Sequence, residues 1–160
     1  MRSGKAAPRQ HGFGYLLVLF AVAALGLMLA GAGQVWHTTA QREREAELLF
    51  IGNQFRRAIT SYVESSPAAA RQYPARLEDL LDDKRSGVSK RHLRRIYADP
   101  MTGAAQWGLV QASGRISGVH SLAQGQPLKT SFETRDAAFA DATGYDQWVF
   151  SFDPSNTAPP

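Results

Sequence analysis

The chain has 160 residues, no cysteine and a formal net charge of +4 at pH 7. Its length leaves room for one small domain, and the lack of cysteine excludes a disulfide framework. Three of the positive charges lie within residues 1–12, and residues 13–160 carry 15 basic and 14 acidic side chains, which argues against a nucleic-acid-binding protein.

An uncharged run of 24 residues, 13–36, follows the short basic leader, residues 1–12. As a helix the run would reach about 36 Å, which is enough to span a hydrocarbon core of about 30 Å. Arg2, Lys5 and Arg9 keep the leader in the cytoplasm under the positive-inside rule. We therefore predict a transmembrane helix at 13–36 that crosses the inner membrane once and sends the C-terminal part of the chain into the periplasm.

A cleaved secretory signal is the alternative interpretation of the same segment. The basic start and the A-x-A sequence Ala30-Gly31-Ala32 favour it. However, the apolar run is longer than the usual signal core of about 7–15 residues. The residues that follow the run also continue a helical pattern, so we expect the segment to be retained as an anchor.

The helical pattern continues from Thr38 to Ser65, until Pro67 ends it. Its first turns are charged, at residues 42–47, and apolar residues then recur at spacings of three and four. This apolar stripe consists of Leu48, Ile51, Phe55, Ile59 and Tyr62. We predict one helix that begins near Phe13 and includes residues 37–66. A helix of that length needs either a domain packed on its outer half or a bundle of copies.

A short helix and a turn are predicted in the next region, residues 67–152. The helix is indicated by Tyr73-Pro74 and the leucines after it, Leu77, Leu80 and Leu81. The turn is indicated by Asp99, Pro100 and Gly103. A basic stretch, residues 84–95, lies between these two elements.

Strands are predicted at residues 105–110, 115–120 and 147–152. In the last strand Trp148, Phe150 and Phe152 alternate with Val149 and Ser151, so the aromatic residues are predicted to face one side. The first two flank Ala112-Ser113-Gly114 and form a hairpin. The fold class is therefore α+β, with a long N-terminal helix packed against a small antiparallel sheet of about three strands. Residues 153–160 are predicted to be a disordered tail.

These features together resemble a known family. The leader end Arg9-Gln10-His11-Gly12, followed by Phe13 and an apolar helix, is similar to the processing site of type IV pilin-like precursors. Within that class, the Tyr73-Pro74 segment and Asp99-Pro100-x-x-Gly103 before Trp107 resemble the major pseudopilins of type II secretion systems. The resemblance covers roughly residues 9–110.

The resemblance implies a pilin-like fold and a structural subunit, not an enzyme. A prepilin peptidase is expected to cut between Gly12 and Phe13 and to methylate the new N-terminus. The subunit would then leave the lipid bilayer and join other pseudopilin subunits at an inner-membrane assembly platform, in a filament that supports protein export across the outer membrane. The predicted assembly contacts are the apolar stripe together with Phe13, Leu17, Gly26 and Ala30. Gly26-x-x-x-Ala30 has the spacing that allows close helix approach.

Two other functions stay open: a minor type IV pilin of a surface pilus, and a signal-anchored periplasmic binding domain. Leu17 stands where the family usually has glutamate, at the fifth mature position. A carboxylate in lipid is costly without a partner, so its absence fits a tip or minor subunit, or an atypical system.

No cofactor is expected, with calcium as the single candidate. Major pseudopilins bind calcium near the end of the sheet, where this chain has Asp136, Asp141, Asp146 and Asp153. The spacing of these four residues forms no recognisable ion loop. We therefore interpret them as solvated surface aspartates.

Catalytic motifs are missing from the sequence. The histidines are scattered and form no metal-ligand spacing, and they lie at His11, His37, His92 and His120. His120-Ser121 has no G-x-S-x-G context. The basic stretch is interpreted as a solvated surface balanced by its own acids. The competing hypothesis is that Arg91, Arg94 and Arg95 dock on acidic residues of the next subunit.

Overall fold

The computed structural model describes residues 13–66 and 71–152. The leader with Gly12, Pro67 and the predicted tail lie outside the described residues. Within the first helix, the side chains of Phe13 and of residues 27–35, Ala30 among them, are also outside the description. The chain divides into two units, residues 1–40 and 41–160, and each is described by itself.

Helix α1 extends over Phe13–Glu64, a total of 52 residues. The prediction of one helix without a break after the apolar run is confirmed. In the first unit, the side chains of residues 14–26, which we call the N-terminal segment, are exposed except for the half-buried Ala24. No helix in the part of the chain that the structure describes combines the length and the hydropathy that crossing a membrane requires.

In the second unit, residues 41–64 of α1, the C-terminal segment, pack against the rest of the unit, residues 71–152, which we call the head. The sheet of the head is antiparallel with the order β1-β2-β3. Its strands are β1 Gly108–Ala112, β2 Arg115–His120 and β3 Phe150–Ser151. The α+β class and the three antiparallel strands are therefore confirmed.

The boundaries of two strands differ from the prediction. β1 begins at Gly108 because Trp107 turns into the core, where its ring lies 5.0 Å from the ring of Phe55 and its indole N–H donates to the Tyr97 carbonyl. β3 has two residues because the chain before it forms a 3-10 helix, Tyr145–Gln147. The predicted alternation nevertheless holds, since Trp148 and Phe150 are fully buried on the core side.

The predicted hairpin between β1 and β2 is confirmed. Its turn has two central residues, Ser113 and Gly114, between the paired Ala112 and Arg115. Both central residues have positive φ, 52° and 73°, as a type I′ turn requires. Glycine adopts this conformation at no steric cost, which explains its position at the second place of the turn.

Short 3-10 helices replace longer regular structure elsewhere in the head. The predicted helix near Tyr73-Pro74 is a 3-10 helix of four residues, Leu77–Leu80. The region before β3, which carried no predicted element, contains a second one, Thr134–Phe139. The Asp79 carboxylate accepts from the backbone N–H groups of Ala75 and Arg76 and so fixes the start of the first of these helices.

The core of the head forms between α1 and β3. Gly52 of α1 lies directly under the Phe150 ring, and an added Cβ at this position would overlap the ring. Trp148 stacks on Phe139 at 5.8 Å and 11° and meets Phe132 edge-on at 5.3 Å. Its indole N–H has no hydrogen-bond partner within the described residues, so packing alone holds this ring.

Candidate functional site

The N-terminal segment of α1 is the strongest candidate for a functional surface. It carries no charge, and its large apolar side chains are exposed: Tyr15, Leu16, Leu17, Val18, Leu19, Phe20, Val22 and Leu25. Consecutive positions point around the whole helix, so this segment is apolar on every side. A helix of this kind is stable only when lipid or other helices cover it.

Two of the predicted assembly residues lie in this segment and are accessible. Leu17 is exposed and adds an apolar side chain to the surface of the segment. Gly26 has no atom within 4 Å of the position that a Cβ would take, so a neighbouring backbone could approach it closely.

Phe13 and Ala30 are not described, and the remaining five predicted assembly residues are buried in the core between the C-terminal segment and the head. Leu48, Ile51, Phe55, Ile59 and Tyr62 all belong to this hydrophobic core. Their predicted contact with neighbouring subunits is wrong, because the side chains are already covered by the same chain. Of the two reasons for a long helix, a domain packed on its outer half applies to these residues.

A carboxylate that the sequence did not single out lies at the start of the C-terminal segment. Glu45 is 1% exposed. It accepts hydrogen bonds from the backbone N–H groups of Leu128 and Lys129, at 2.7 and 3.0 Å, and from the Tyr145 hydroxyl at 2.8 Å. Burial, with a smaller contribution from Glu45, raises the pKa of Tyr145 to about 12, so the phenol stays a donor. Glu45 therefore fastens an irregular loop of the head to α1.

The basic stretch is pinned to the end of α1 by Arg85. Its guanidinium binds both oxygens of Asp83, at 2.8 and 2.7 Å, and lies 3.5 Å from the ring centroid of Tyr62. It also donates to the Tyr62 carbonyl at 2.8 Å and to the Ser66 hydroxyl at 2.6 Å, near the last turn of the helix. Hydrogen bonds from Arg85 hold the pKa of Asp83 far below its usual range, so Asp83 is ionised.

His92 lies beside the same carboxylate with its side chain fully buried. Its Nδ1 is 2.8 Å from the Ser61 hydroxyl and its Nε2 is 3.3 Å from an Asp83 oxygen. Burial lowers the pKa of His92, although Asp83 opposes this shift. Ser61, His92 and Asp83 thus have the order of hydrogen bonds found in a catalytic triad. However, the imidazole is buried and Arg85 already binds the Asp83 carboxylate. The three residues therefore stabilise the fold and do not form an accessible nucleophile.

A cleft of about 560 Å³ opens between α1 and the basic stretch. Phe50 and Gln54 line it from the helix, and Arg91 and Arg94 line it from the basic stretch. Both arginines are exposed. Within residues 84–95, Arg85 and Lys84 pair directly with neighbouring acids, and Lys84 lies 2.9 Å from Asp82. The two arginines of the cleft form no direct ion pair with a described residue, although the charge of Arg91 still acts on Asp82.

The predicted turn at Asp99, Pro100 and Gly103 is confirmed. The Gly103 N–H donates to the Asp99 carbonyl at 2.7 Å, and Gly103 has a φ of 75°. The buried Asp99 carboxylate accepts from the Met101 N–H at 2.8 Å and from the Ser121 hydroxyl at 2.6 Å. The turn is thus tied to the end of β2, which gives it a structural role.

The four aspartates considered for calcium do not share one environment. Asp141 and Asp146 are exposed as interpreted, and Asp153 lies outside the described residues. For Asp136 the interpretation as a solvated surface residue is wrong, because this residue is buried. One carboxylate oxygen lies 2.7 Å from the Arg56 guanidinium, and the other accepts a hydrogen bond from the Asn53 amide at 3.1 Å. Among the residues described, no three acidic, histidine or cysteine side chains lie close enough to hold a metal ion.

His120-Ser121 forms no catalytic pair. The His120 Nδ1 lies 3.0 Å from the Ser121 carbonyl oxygen, while the Ser121 hydroxyl donates to Asp99. His37 is exposed and His11 lies outside the described residues.

The burial of Glu45 could have been predicted from its position in the sequence. Glu45 precedes Leu48 by three positions and is therefore in phase with the apolar stripe. An acid on a buried helix face needs partners, so this phase predicts a buried hydrogen-bonded carboxylate. The pairing of Asp136 with Arg56, which is 80 positions away, has no such signal.

Comparison of the chain with protein-family models, with curated proteins and with solved structures gives no match.

Proposed function

We propose that this protein is a structural subunit of an inner-membrane-anchored, type IV pilin-like filament, of the kind that type II secretion systems use to export proteins. The leader would be removed between Gly12 and Phe13 by a prepilin peptidase. The helix would first lie in the lipid bilayer and would then exchange lipid contacts for contacts with the helices of neighbouring subunits. No chemical step takes place on this chain.

The observation that carries the proposal is the exposed apolar surface of residues 14–26 on the helix whose later part forms the core of the head. Because this segment is apolar on all sides, one apolar patch on a partner would leave most of it in water. A bilayer covers such a helix completely, and so does a bundle of identical helices. A subunit that alternates between these two environments accounts for both the length and the uniform hydrophobicity of the segment.

The packing of the head supports the same function. The apolar stripe from Leu48 to Tyr62 is buried in the core of the subunit. The head can therefore fold against its own helix without contacts from a neighbouring subunit. A subunit can then wait in the membrane as a folded monomer. Assembly would depend on the N-terminal segment and on the exposed surface of the head, which a filament can use repeatedly.

Mass spectrometry of the mature N-terminus tests the proposal. The full chain is produced in a bacterium with and without a prepilin peptidase, and the N-terminal peptide is sequenced. We expect an N-methylated Phe13 only when the peptidase is present. Gly12→Val is expected to block the cut. Gly14→Val is the matched control, because a Cβ at Gly14 meets no atom within 4 Å and the residue lies beyond the cut.

Other termini would contradict the proposal and identify its rivals. An intact Met1 that is indifferent to the peptidase means a signal-anchored periplasmic domain. A terminus near Gly33 means a cleaved secretory signal. If Phe13 is methylated, deletion of the gene separates the two filament functions, because a secretion subunit is needed for export of proteins and a minor pilin is needed for surface pili.

A further inference from the structure

The cleft between α1 and the basic stretch, which we call the arginine cleft, is lined by hydrogen-bond donors. Arg91 and Arg94 bring guanidinium groups, each with five N–H donors and no acceptor, and Gln54 brings an amide. The imidazole of His92 adds no free group, because other side chains already lie within 3.3 Å of both of its nitrogens. Among the described residues that line the cleft, none carries a carboxylate. The polar part of the cleft is therefore suited to an anion.

The two arginines of the cleft differ from three neighbouring cations in having no direct partner. Lys84 and Arg85 pair with aspartates, and the guanidinium group of Arg95 lies 5.0 Å from the centroid of a tyrosine ring. Arg91 and Arg94 have no such partner among residues 13–66 and 71–152. A ligand can therefore bind these two guanidinium groups without breaking an ion pair of the fold.

Apolar surface borders the same cleft. Phe50 is 59% exposed, and the buried Leu93 and the half-buried Tyr97 also line the cleft. A ligand with an apolar part would remove this surface from water, whereas inorganic phosphate would not. The volume of about 560 Å³ lies within the range of about 300–1,000 Å³ that is usual for small-molecule sites. The cleft therefore combines free cationic donors with apolar surface in a space that suits a small organic molecule.

We propose that the arginine cleft binds a small organic carboxylate that carries an apolar group, such as a short-chain acid with a phenyl ring. The carboxylate accepts two parallel hydrogen bonds from the guanidinium group of Arg91 or Arg94, an arrangement that a planar guanidinium group favours. The Gln54 amide adds a donor, and the apolar group of the ligand covers Phe50. This binding function does not rest on filament assembly, because no residue of the cleft belongs to the N-terminal segment.

Titration of the full chain with phenylpropionate tests the proposal. The isotope-labelled protein is kept in detergent, and nuclear magnetic resonance follows the side-chain N–H signals of Gln54, Arg91 and Arg94. We expect saturable changes in the chemical shifts of these groups with a Kd of about 1 mM, as a ligand of this size allows. The lack of saturable changes at ten times this concentration would overturn the proposal.

Three related probes separate the features of the ligand. Phenylpropanol keeps the ring and lacks the charge, and inorganic phosphate keeps a charge and lacks the ring. Each is expected to bind about tenfold more weakly than phenylpropionate.

Equal binding of phenylpropanol would mean an apolar patch, and equal binding of phosphate would mean a simple anion site. The third probe is the blocked dipeptide acetyl-Phe-Glu-amide, which presents the same groups as a segment of a protein would. Tighter binding of the dipeptide would assign the cleft to a protein partner. Each of these three results would overturn the proposal.

Substitutions in the cleft locate the bound ligand. Arg94→Gln is expected to weaken the binding of phenylpropionate about tenfold, because a charged hydrogen bond is lost. Phe50→Ala is expected to weaken it about threefold, because less apolar surface is covered. Arg71→Gln and Leu122→Ala are the matched controls at exposed positions outside the cleft, and neither should change the affinity. Equal effects of the cleft variants and the controls would overturn the site.

Glu47 tests the charge of the ligand. It lies one helical turn before Phe50 on the same side of α1 and is not among the residues that line the cleft. Its carboxylate would repel an anion in the cleft. Glu47→Gln is therefore expected to strengthen the binding of phenylpropionate about twofold, and weaker binding would contradict an anionic ligand.

The outcomes separate this inference from the proposed function. An N-methylated Phe13 in a protein that does not bind phenylpropionate overturns the ligand site and supports the filament. Binding of phenylpropionate by a chain that the peptidase does not process supports the ligand site and overturns the filament.

Discussion

Both described segments of α1 carry large apolar side chains, and these side chains lie in opposite surroundings. In the N-terminal segment Phe20 is 81% exposed, whereas in the C-terminal segment Phe55 is fully buried between Trp107 and Tyr97. The difference lies in how the apolar residues are arranged. In the C-terminal segment they form one stripe, which the head covers. In the N-terminal segment the apolar residues occur on every side of the helix, and one head could not cover all of these sides.

This comparison shows that hydrophobicity alone does not identify the partner of a helix. An apolar stripe on one side of a helix indicates packing within the chain. An apolar surface on all sides indicates that the helix is covered by lipid or by several identical helices. Matched substitutions in the two segments therefore have different effects, and each of the following experiments uses that difference.

The largest effect is expected for Phe55→Ala. Removing a fully buried phenylalanine leaves a cavity and costs about 3–5 kcal/mol of unfolding free energy. Phe20→Ala is the matched control in the N-terminal segment and should change stability by less than about 0.5 kcal/mol. Denaturant unfolding of the full chain in detergent, followed by tryptophan fluorescence, measures both. Similar losses for the two variants would contradict the contrast between the segments.

Glu45→Gln is expected to cost about 2 kcal/mol. The amide keeps the shape of the side chain but replaces one acceptor oxygen by a donor, which would face a backbone N–H or the Tyr145 hydroxyl. Hydrogen exchange at Leu128 and Lys129 should accelerate at the same time. The exposed Glu47 makes Glu47→Gln the control, for which neither unfolding free energy nor exchange should change.

Gly52→Ala is expected to destabilise the head by about 1–3 kcal/mol, because the added methyl group overlaps the Phe150 ring. Gly26→Ala in the N-terminal segment meets no atom within 4 Å and should not destabilise the subunit. Thermal unfolding in detergent compares the two variants. A neutral Gly52→Ala would mean that α1 and β3 can move apart.

The smallest effect is expected for the pH dependence of stability that His92 causes. Since burial lowers its pKa, the unfolded chain takes up a proton at a pH where the folded chain does not. The contribution of His92 to the unfolding free energy is complete above about pH 6.5, the usual pKa of histidine, and is lost as the pH falls below that pKa. Asp83 contributes only in stronger acid, because Arg85 lowers its pKa.

His92→Gln should therefore reduce the loss of stability that occurs as the pH falls below about 6.5. Denaturant unfolding across this range measures it, with His37→Gln as the control in the N-terminal unit. An unchanged slope for His92→Gln would show that other groups cause the acid sensitivity.

Local patterns predicted the elements of this fold. The spacing of Leu48, Ile51 and Phe55 determined the helix and its buried face, and the Ser113-Gly114 turn between alternating residues determined the hairpin. These features depend on neighbours within a few positions. The alternation around Phe150 also identified the core side of β3, although the strand is shorter than predicted.

Contacts between distant residues were not predictable in the same way. Arg56 and Asp136, or Arg85 and the end of α1, meet only after the head has folded, and no local pattern records such a pairing. The role of the stripe was misjudged for a related reason. A one-sided apolar face on a long helix looks the same whether the chain itself or another copy covers it.

The position of Arg85 has a consequence for the order in which the fold is completed during synthesis. The carbonyl group of Tyr62 receives its donor from a residue 23 positions later in the chain. Because the ribosome makes the chain from its N-terminus, the last turn of α1 exists before the side chain that satisfies its carbonyl group. The C-terminal end of this helix is therefore completed only after the following loop has been made.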